Sequence, residues 1–341
     1  MSVLPVKKER LKWVDFIKGF AILLVFLGHV VQFTYNGDYQ DSVVFRYIYS
    51  FHMPLFMFVS GYVSYKAILK WKSIGKRAVQ LLLPFFVWPL IYHTVDGTLS
   101  LESYRDLILN PSGGLWFLWV LFFCSTLLTI VIKTWRGGHF LSVEMVSLIT
   151  VLALLVVGVL YKGNIFGIKS IANYYIYYCT GFWLKKYSNN MLPLLTKYLP
   201  AFIILFVFGA FFWHGTETPT FIQPTNGIVS AVYRMATAFL GIATTFGLAF
   251  KYIKQDNDSF CGKIINELGQ HTLGLYAVQA LLITLFMRLL SCISIPYAAY
   301  VAIIFILATI SSYIVIKLLS LTKITSLLFL GINKYIVVKS R

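Results

Sequence analysis

Long charge-free runs of apolar residues dominate the pattern along this chain. They occupy 19–37, 47–65, 78–95, 107–132, 145–161, 170–184, 198–216, 218–233 continued past Arg234 to 250, 268–287 and 289–316. About 20 mostly apolar residues carry a helix across roughly 30 Å of hydrocarbon. The pattern therefore predicts ten transmembrane helices. The run 170–184 is the shortest, and Pro296 sets the start of the last helix near itself, because proline lacks the N–H that a helix interior needs. Runs this long, without alternation of apolar and polar residues, are not the short strands of a barrel. The expected fold class is all-α: a polytopic integral-membrane helical bundle. Residues 1–320 form its single transmembrane domain, and 321–341 an interfacial or cytoplasmic tail.

Composition adds what the pattern excludes. Apolar residues make up 59% of the 341 and charged residues 12%, half the roughly 25% that clothes a water-soluble chain. Soluble globular enzymes, disordered chains and disulfide-stapled secreted domains are ruled out. A net charge of +17 would point a soluble protein toward nucleic acid, but here the placement of the charges decides. With the N-terminus inside and each helix reversing the side, 22 of the 29 Lys and Arg residues fall on the inner side. Only Arg46, Arg105, Lys162, Lys169 and Arg288 fall outside, and Lys18 and Arg234 lie within helices. The positive-inside rule then reads the basicity as topology, with both termini cytoplasmic, a multi-pass plasma-membrane location and no nucleic-acid partner. The apolar run after Lys18 lacks a small-residue cleavage site and is read as helix 1, not a signal peptide. Cys124, Cys179, Cys261 and Cys292 show no C-x-x-C spacing and are read as small apolar residues or loop thiols.

Ionisable side chains inside a bilayer are expensive, so each is a functional candidate. Helix 1 holds the densest set, Asp15, Lys18 and His29 in WVDFIKGFAILLVFLGHV. Asp15 and Lys18 stand at an ion-pair spacing of i,i+3. Eleven residues separate Lys18 from His29, within about 20° of three full turns. Asp15, Lys18, Ile22, Val25 and His29 thus share one stripe, with His29 about 16 Å beyond Lys18. The bland alternative is an interfacial ion pair and a hydrogen-bonded packing histidine. His52, His93, His214 and Arg234 also fall in the outer half, as a polar cavity opening outward would require. His93 and His214 are better read as interface residues; His52 stays open between the two. Ser60 and Gly61, beside Tyr62, allow two helices to approach closely. Trp116, Trp119 and the tyrosines at 174–178 look like an aromatic belt. No G-x-S-x-G, P-loop or H-E-x-x-H is present.

Several segments, taken in order, resemble one family. DFIKGFAILLVFLGH resembles the first helix of the membrane-bound acyltransferase-3 proteins, especially the fucose 4-O-acetylase-like branch. There a basic residue, ten further residues and a histidine mark helix 1. Lys18 and His29 match, with Lys in place of the more frequent Arg. FHMPLFMFVSGY (51–62) is similar to the second-helix motif, and KRAVQLLLPFFVWP (76–89) to the cytoplasmic Arg and Pro-containing third helix. GGLWFLWVLFF resembles the W-F-L segment before helix 4, and LGQHTLGLYAVQ (268–279) the late G-x-x-[ST]-L-x-x-Y segment. Gln279 stands where many members carry His.

The resemblance implies a membrane-embedded O-acyltransferase, foremost an O-acetyltransferase. It would move an acyl group from cytoplasmic acyl-CoA, expected to be acetyl-CoA, to a hydroxyl of a cell-surface or lipid-linked glycan. His29 would be the catalytic histidine, with Lys18 and Asp15 beside it in that role. Titrating near pH 6.5, a histidine takes the proton of an attacking sugar hydroxyl, or carries the acyl group as an acyl-imidazole. Arg77, Lys76 and Arg10 are expected to hold CoA phosphates, although topology alone also places basic residues there. His52, Ser60, Tyr62, Trp116 and Arg234 are expected on the substrate side. No metal is expected, and the partners are acyl-CoA, the acceptor, the bilayer and polysaccharide-synthesis or export proteins. A transporter or flippase for a glycan precursor is the alternative that buried charges in ten helices also fit. A structural or regulatory membrane protein is the third.

Overall fold

The computed structural model describes residues 11–65, 71–111, 113–135, 141–215, 227–253 and 259–332, and among them there is no strand. In chain order the helices are α1 Lys12–Thr34, α2 Val43–Tyr49, α3 His52–Ser64, α4 Lys72–Arg77, α5 Leu83–Val95, α6 Leu101–Leu109, α7 Trp116–Thr134 and α8 Val143–Leu160. They continue as α9 Ile168–Lys186, α10 Ser188–Lys197, α11 Leu199–Phe211, α12 Gly227–Tyr252, α13 Phe260–Gln270, α14 Thr272–Leu290, α15 Tyr297–Leu319 and α16 Lys323–Leu330.

Among the described residues, eight stretches are long and apolar enough to cross a membrane, with α2 and α3 counted as one and α4 through α5 as another. A ninth arises if α10 and α11 count together, although they meet at 70°. Alone, the 13 residues of α11 rise only about 20 Å. The last of the ten expected runs lies in α9, 19 residues long, where Tyr174, Tyr175, Tyr177 and Tyr178 dilute the apolar character. The chain is an all-helical, multi-pass integral membrane protein. The first span starts at Lys12, seven residues before the charge-free run, so Asp15 and Lys18 are helical. The expected helix over 268–287 is two: α13 ends at Gln270, His271 occupies the break, and α14 starts at Thr272.

Two helix crossings bring backbone against backbone. A Cβ on Gly19 would strike the Ile265 carbonyl oxygen, and one on Gly269 the Asp15 carbonyl oxygen, so α1 and α13 cross at glycine. In the same way Gly61 of α3 meets the Tyr178 carbonyl, and Gly181 of α9 meets that of Phe58. Lipid gives helices no hydrophobic reason to associate, so close packing at small residues has to hold them together. The first crossing sets the Asp15–Lys18 turn beside the α13–α14 break. The second seats the Tyr178 hydroxyl on Ser64 Oγ at 2.9 Å.

Between α4 and α5 the chain makes a π-helical turn, Ala78–Leu82. Pro84 has no N–H to offer the Gln80 carbonyl, so the helix widens there. Gly331, at φ +64°, packs against that same carbonyl. Trp88 Nε1 donates to the Phe329 carbonyl at 2.9 Å. Within the tail, α16 folds back on α5, with Ser326 and Leu330 buried. Residues 333–341 lie outside the described residues.

Candidate functional site

A cavity of about 370 Å³ lies at the end of the bundle where α1 begins. Its polar lining is Lys18 of α1, Ser60 of α3, Arg77 and Gln80 at the π turn, and Gln270, His271 and Thr272 at the α13–α14 break. Leu330 and Ile332 supply a wall from the folded-back tail. Lys18 Nζ donates to Asp15 Oδ1 at 2.9 Å, and Asp15 is buried. The Arg77 guanidinium stands 5.9 Å over the Tyr178 ring and makes no ion pair among the described residues. An ammonium already half neutralised and a guanidinium with no carboxylate beside it together suit a multiply charged anion.

Met53, Phe56, Phe117 and Tyr276 form the far end of the cavity. The Phe117 ring lies 5.9 Å from Phe56 and 5.8 Å from Tyr276, edge to face. His29 does not line the cavity. The alignment of Lys18 and His29 on one stripe therefore does not put both on the cavity: Lys18 lines it and His29 does not. His29 is stacked on Phe33, centroids 5.6 Å apart, with Nδ1 buried. His52, at the start of α3, is buried, with Nδ1 2.8 Å from the Ile48 carbonyl and its ring against Tyr49 at 4.7 Å. The Tyr49 hydroxyl donates to Gln32 Oε1 at 2.5 Å. His29 and His52 lie within electrostatic reach of one another.

Other expected site residues scatter. Trp116 packs on Tyr174 at 5.1 Å, and Arg234 interacts with Tyr174 and Tyr177 while donating to the Gly215 carbonyl. They form one group. Tyr62 is elsewhere: its ring meets Trp13 and Phe246, with Lys185 Nζ 5.0 Å above it, and it does not reach the cavity. Packing of α3 on α1 and α12 turns that face of the Ser60–Tyr62 segment away from Ser60. Lys76 is exposed and off the cavity. Arg10 lies outside the described residues.

Sequence reasoning missed the α13–α14 break. The polar triplet Gln270–His271–Thr272 inside an otherwise apolar run was the available signal. It missed the neighbouring network too. Glu267 Oε1 accepts from Lys317 Nζ at 2.7 Å and Tyr313 Oη at 3.0 Å, and lies 3.2 Å from His271 Nε2. The Lys317 ammonium beside Glu267 holds its carboxyl below the usual range. A depressed carboxyl stabilises the fold above the unfolded value of about 4.3, and that stability is lost as pH falls through the folded value. Glu267 is 38% exposed, so solvent screens the pair to under about 1 kcal/mol. Glu267→Gln should lower the thermal midpoint by about 1–3 °C at pH 7, and this difference should vanish below about pH 4. A difference independent of pH would show that packing, not charge, makes the contribution.

Residues 11–317 match a family model described as an acyltransferase domain. The chain is 30% identical over 292 residues to the nodulation protein NolL of Mesorhizobium japonicum, an alignment covering 78% of this chain and 74% of that protein. It is 38% identical over 131 residues to the nodulation protein NolL of Sinorhizobium fredii, covering 34% of each. No solved structure matches.

Proposed function

The chain belongs to the acyltransferase-3 family and is an acyltransferase, and on that premise we propose that it moves an acyl group, foremost acetyl, from acyl-CoA to a glycan hydroxyl. The donor enters from the cytoplasmic side, where the Lys and Arg excess lies, and the acceptor is a cell-surface or lipid-linked glycan at the plasma membrane. One observation carries the reading: a cavity has Lys18 and Arg77 in its wall, and the same helix as Lys18 carries a half-buried histidine further along. In this reading Arg77 and Lys18 hold donor phosphates through charge-assisted hydrogen bonds, and Asp15 orients Lys18. The thioester passes Phe117 and Tyr276 to reach His29. His52, Trp116 and Arg234 lie on the acceptor side.

The step is a direct transfer. The acceptor oxygen attacks the thioester carbonyl carbon, a C–O bond forms and the C–S bond breaks. His29 takes the hydroxyl proton as attack proceeds and returns it to the departing thiolate. A sugar hydroxyl is too weak a nucleophile at neutral pH to do without such a base.

Purified protein in nanodiscs, given acetyl-CoA and an acceptor glycan, should release free thiol and form an acylated product. No thiol release from any acyl-CoA would sink the donor assignment. Arg77→Ala should raise KM for acyl-CoA about 10- to 100-fold and leave kcat within a few-fold, because it removes a contact made equally in ground and transition states. Surface glycans compared between deletion and wild-type strains by mass and NMR identify the acceptor and the acyl group together.

A further inference from the structure

Three buried polar atoms stand without hydrogen bonds where α1 packs on α14: His29 Nδ1 and both amide atoms of Gln279. Gln279 is 1% exposed, one helical turn beyond Tyr276 at the closed end of the cavity, and it lies against His29. An unpaired buried amide costs about 1–3 kcal/mol, so a residue that serves packing alone would be better apolar. A neutral imidazole has one donor and one acceptor nitrogen, and the partner of one decides the role of the other. His52 gives its Nδ1 to the Ile48 carbonyl. His52 on α3 acts on His29 electrostatically, and Tyr49 on α2, packed on His52 and beside Gly28, donates its hydroxyl to Gln32. No charged group of α12 to α15 acts on it among the described residues.

We propose that Gln279 is the positioning residue of His29: its Oε1 takes the Nδ1–H, which fixes the imidazole tautomer that leaves Nε2 as the base. The inference rests on the transfer reading above. It adds a residue that acts through His29. Gln is suited to this task because its amide accepts from Nδ1–H without adding a charge, whereas a carboxylate would hold the imidazole protonated.

Two variants and a spectrum test it. Gln279→Met keeps length and removes both amide atoms. It should fold with a thermal midpoint equal to or above wild type, lower kcat about 10- to 100-fold, and leave KM for acetyl-CoA unchanged. Gln279→Glu should move the acidic limb of the kcat/KM profile upward by about one pH unit or more, since the carboxylate favours protonated His29. In protein labelled with [15N]histidine, solid-state NMR should find His29 as the Nδ1–H tautomer in wild type and as a mixture in Gln279→Met. Wild-type kcat in Gln279→Met, an unmoved limb in Gln279→Glu, or an unchanged tautomer would each overturn the inference. The spectrum needs no turnover, so it decides the inference even where the acyl-CoA assay fails and overturns the functional reading alone.

Discussion

His29→Ala should lower acyl transfer about 10³-fold, the loss typical of removing a positioned acid–base group and equivalent to about 4 kcal/mol of barrier. The loss belongs to the chemistry and should leave the fold intact. His29 touches Phe33 by stacking and carries no ion pair among the described residues, so truncation removes at most its one contact with Gln279. Alanine also raises the helix propensity of α1. The thermal midpoint should therefore stay within a few degrees of wild type while thiol release in the nanodisc assay falls to background. A well-folded His29→Ala protein that still transfers acyl groups at the wild-type rate would remove His29 from the reaction.

The largest effect on assembly should come from the glycine crossings. Gly269→Val or Gly61→Val puts branched carbon where a carbonyl oxygen of the facing helix already lies. Overpacking of this kind costs about 1–3 kcal/mol and more when backbone, not side chain, must move. Each variant should lose at least several degrees of thermal midpoint or fail to accumulate in the membrane. Gly75→Ala in α4 is the control: nothing lies within 4 Å of the place its methyl would take, so alanine should be neutral or stabilising by up to about 1 kcal/mol. Equal midpoints for Gly269→Val and Gly75→Ala would refute the backbone contact as the source of stability.

Hydropathy made nearly every membrane helix legible, because about 20 apolar residues is a requirement of the bilayer and not a tendency of the chain. The charge-free run 170–184 did mark α9, although its four tyrosines lower the apolar average, while the run 198–216 became a helix of only 13 residues, α11, set at 70° to the α10 that precedes it. The site was legible in part. Asp15 and Lys18 are neighbours on one helix, so spacing alone brought them together, as the 2.9 Å contact shows. Ser60 and Gly61 announced a close helix approach, and Gly61 makes one. His271, Gln80 and the aromatic end of the cavity were not legible. Their convergence depends on how α5, α7 and α14 cross, which periodicity within a single helix does not encode. Tyr62 fell to the same limit: adjacent to Ser60 in sequence, it faces another helix in space.

The folded-back tail gives the cavity a property in time. Its walls come from α1, α3, the π turn, α7, α14 and α15, and its last from Leu330 and Ile332. Those two residues leave the ribosome after every other lining group. Until then the Gln80 carbonyl lacks its Gly331 neighbour, and the space between Lys18 and Arg77 stands open on that flank. The cavity is thus closed only after α15 has been made, and a nascent chain that has inserted α1 to α15 still lacks one wall of it.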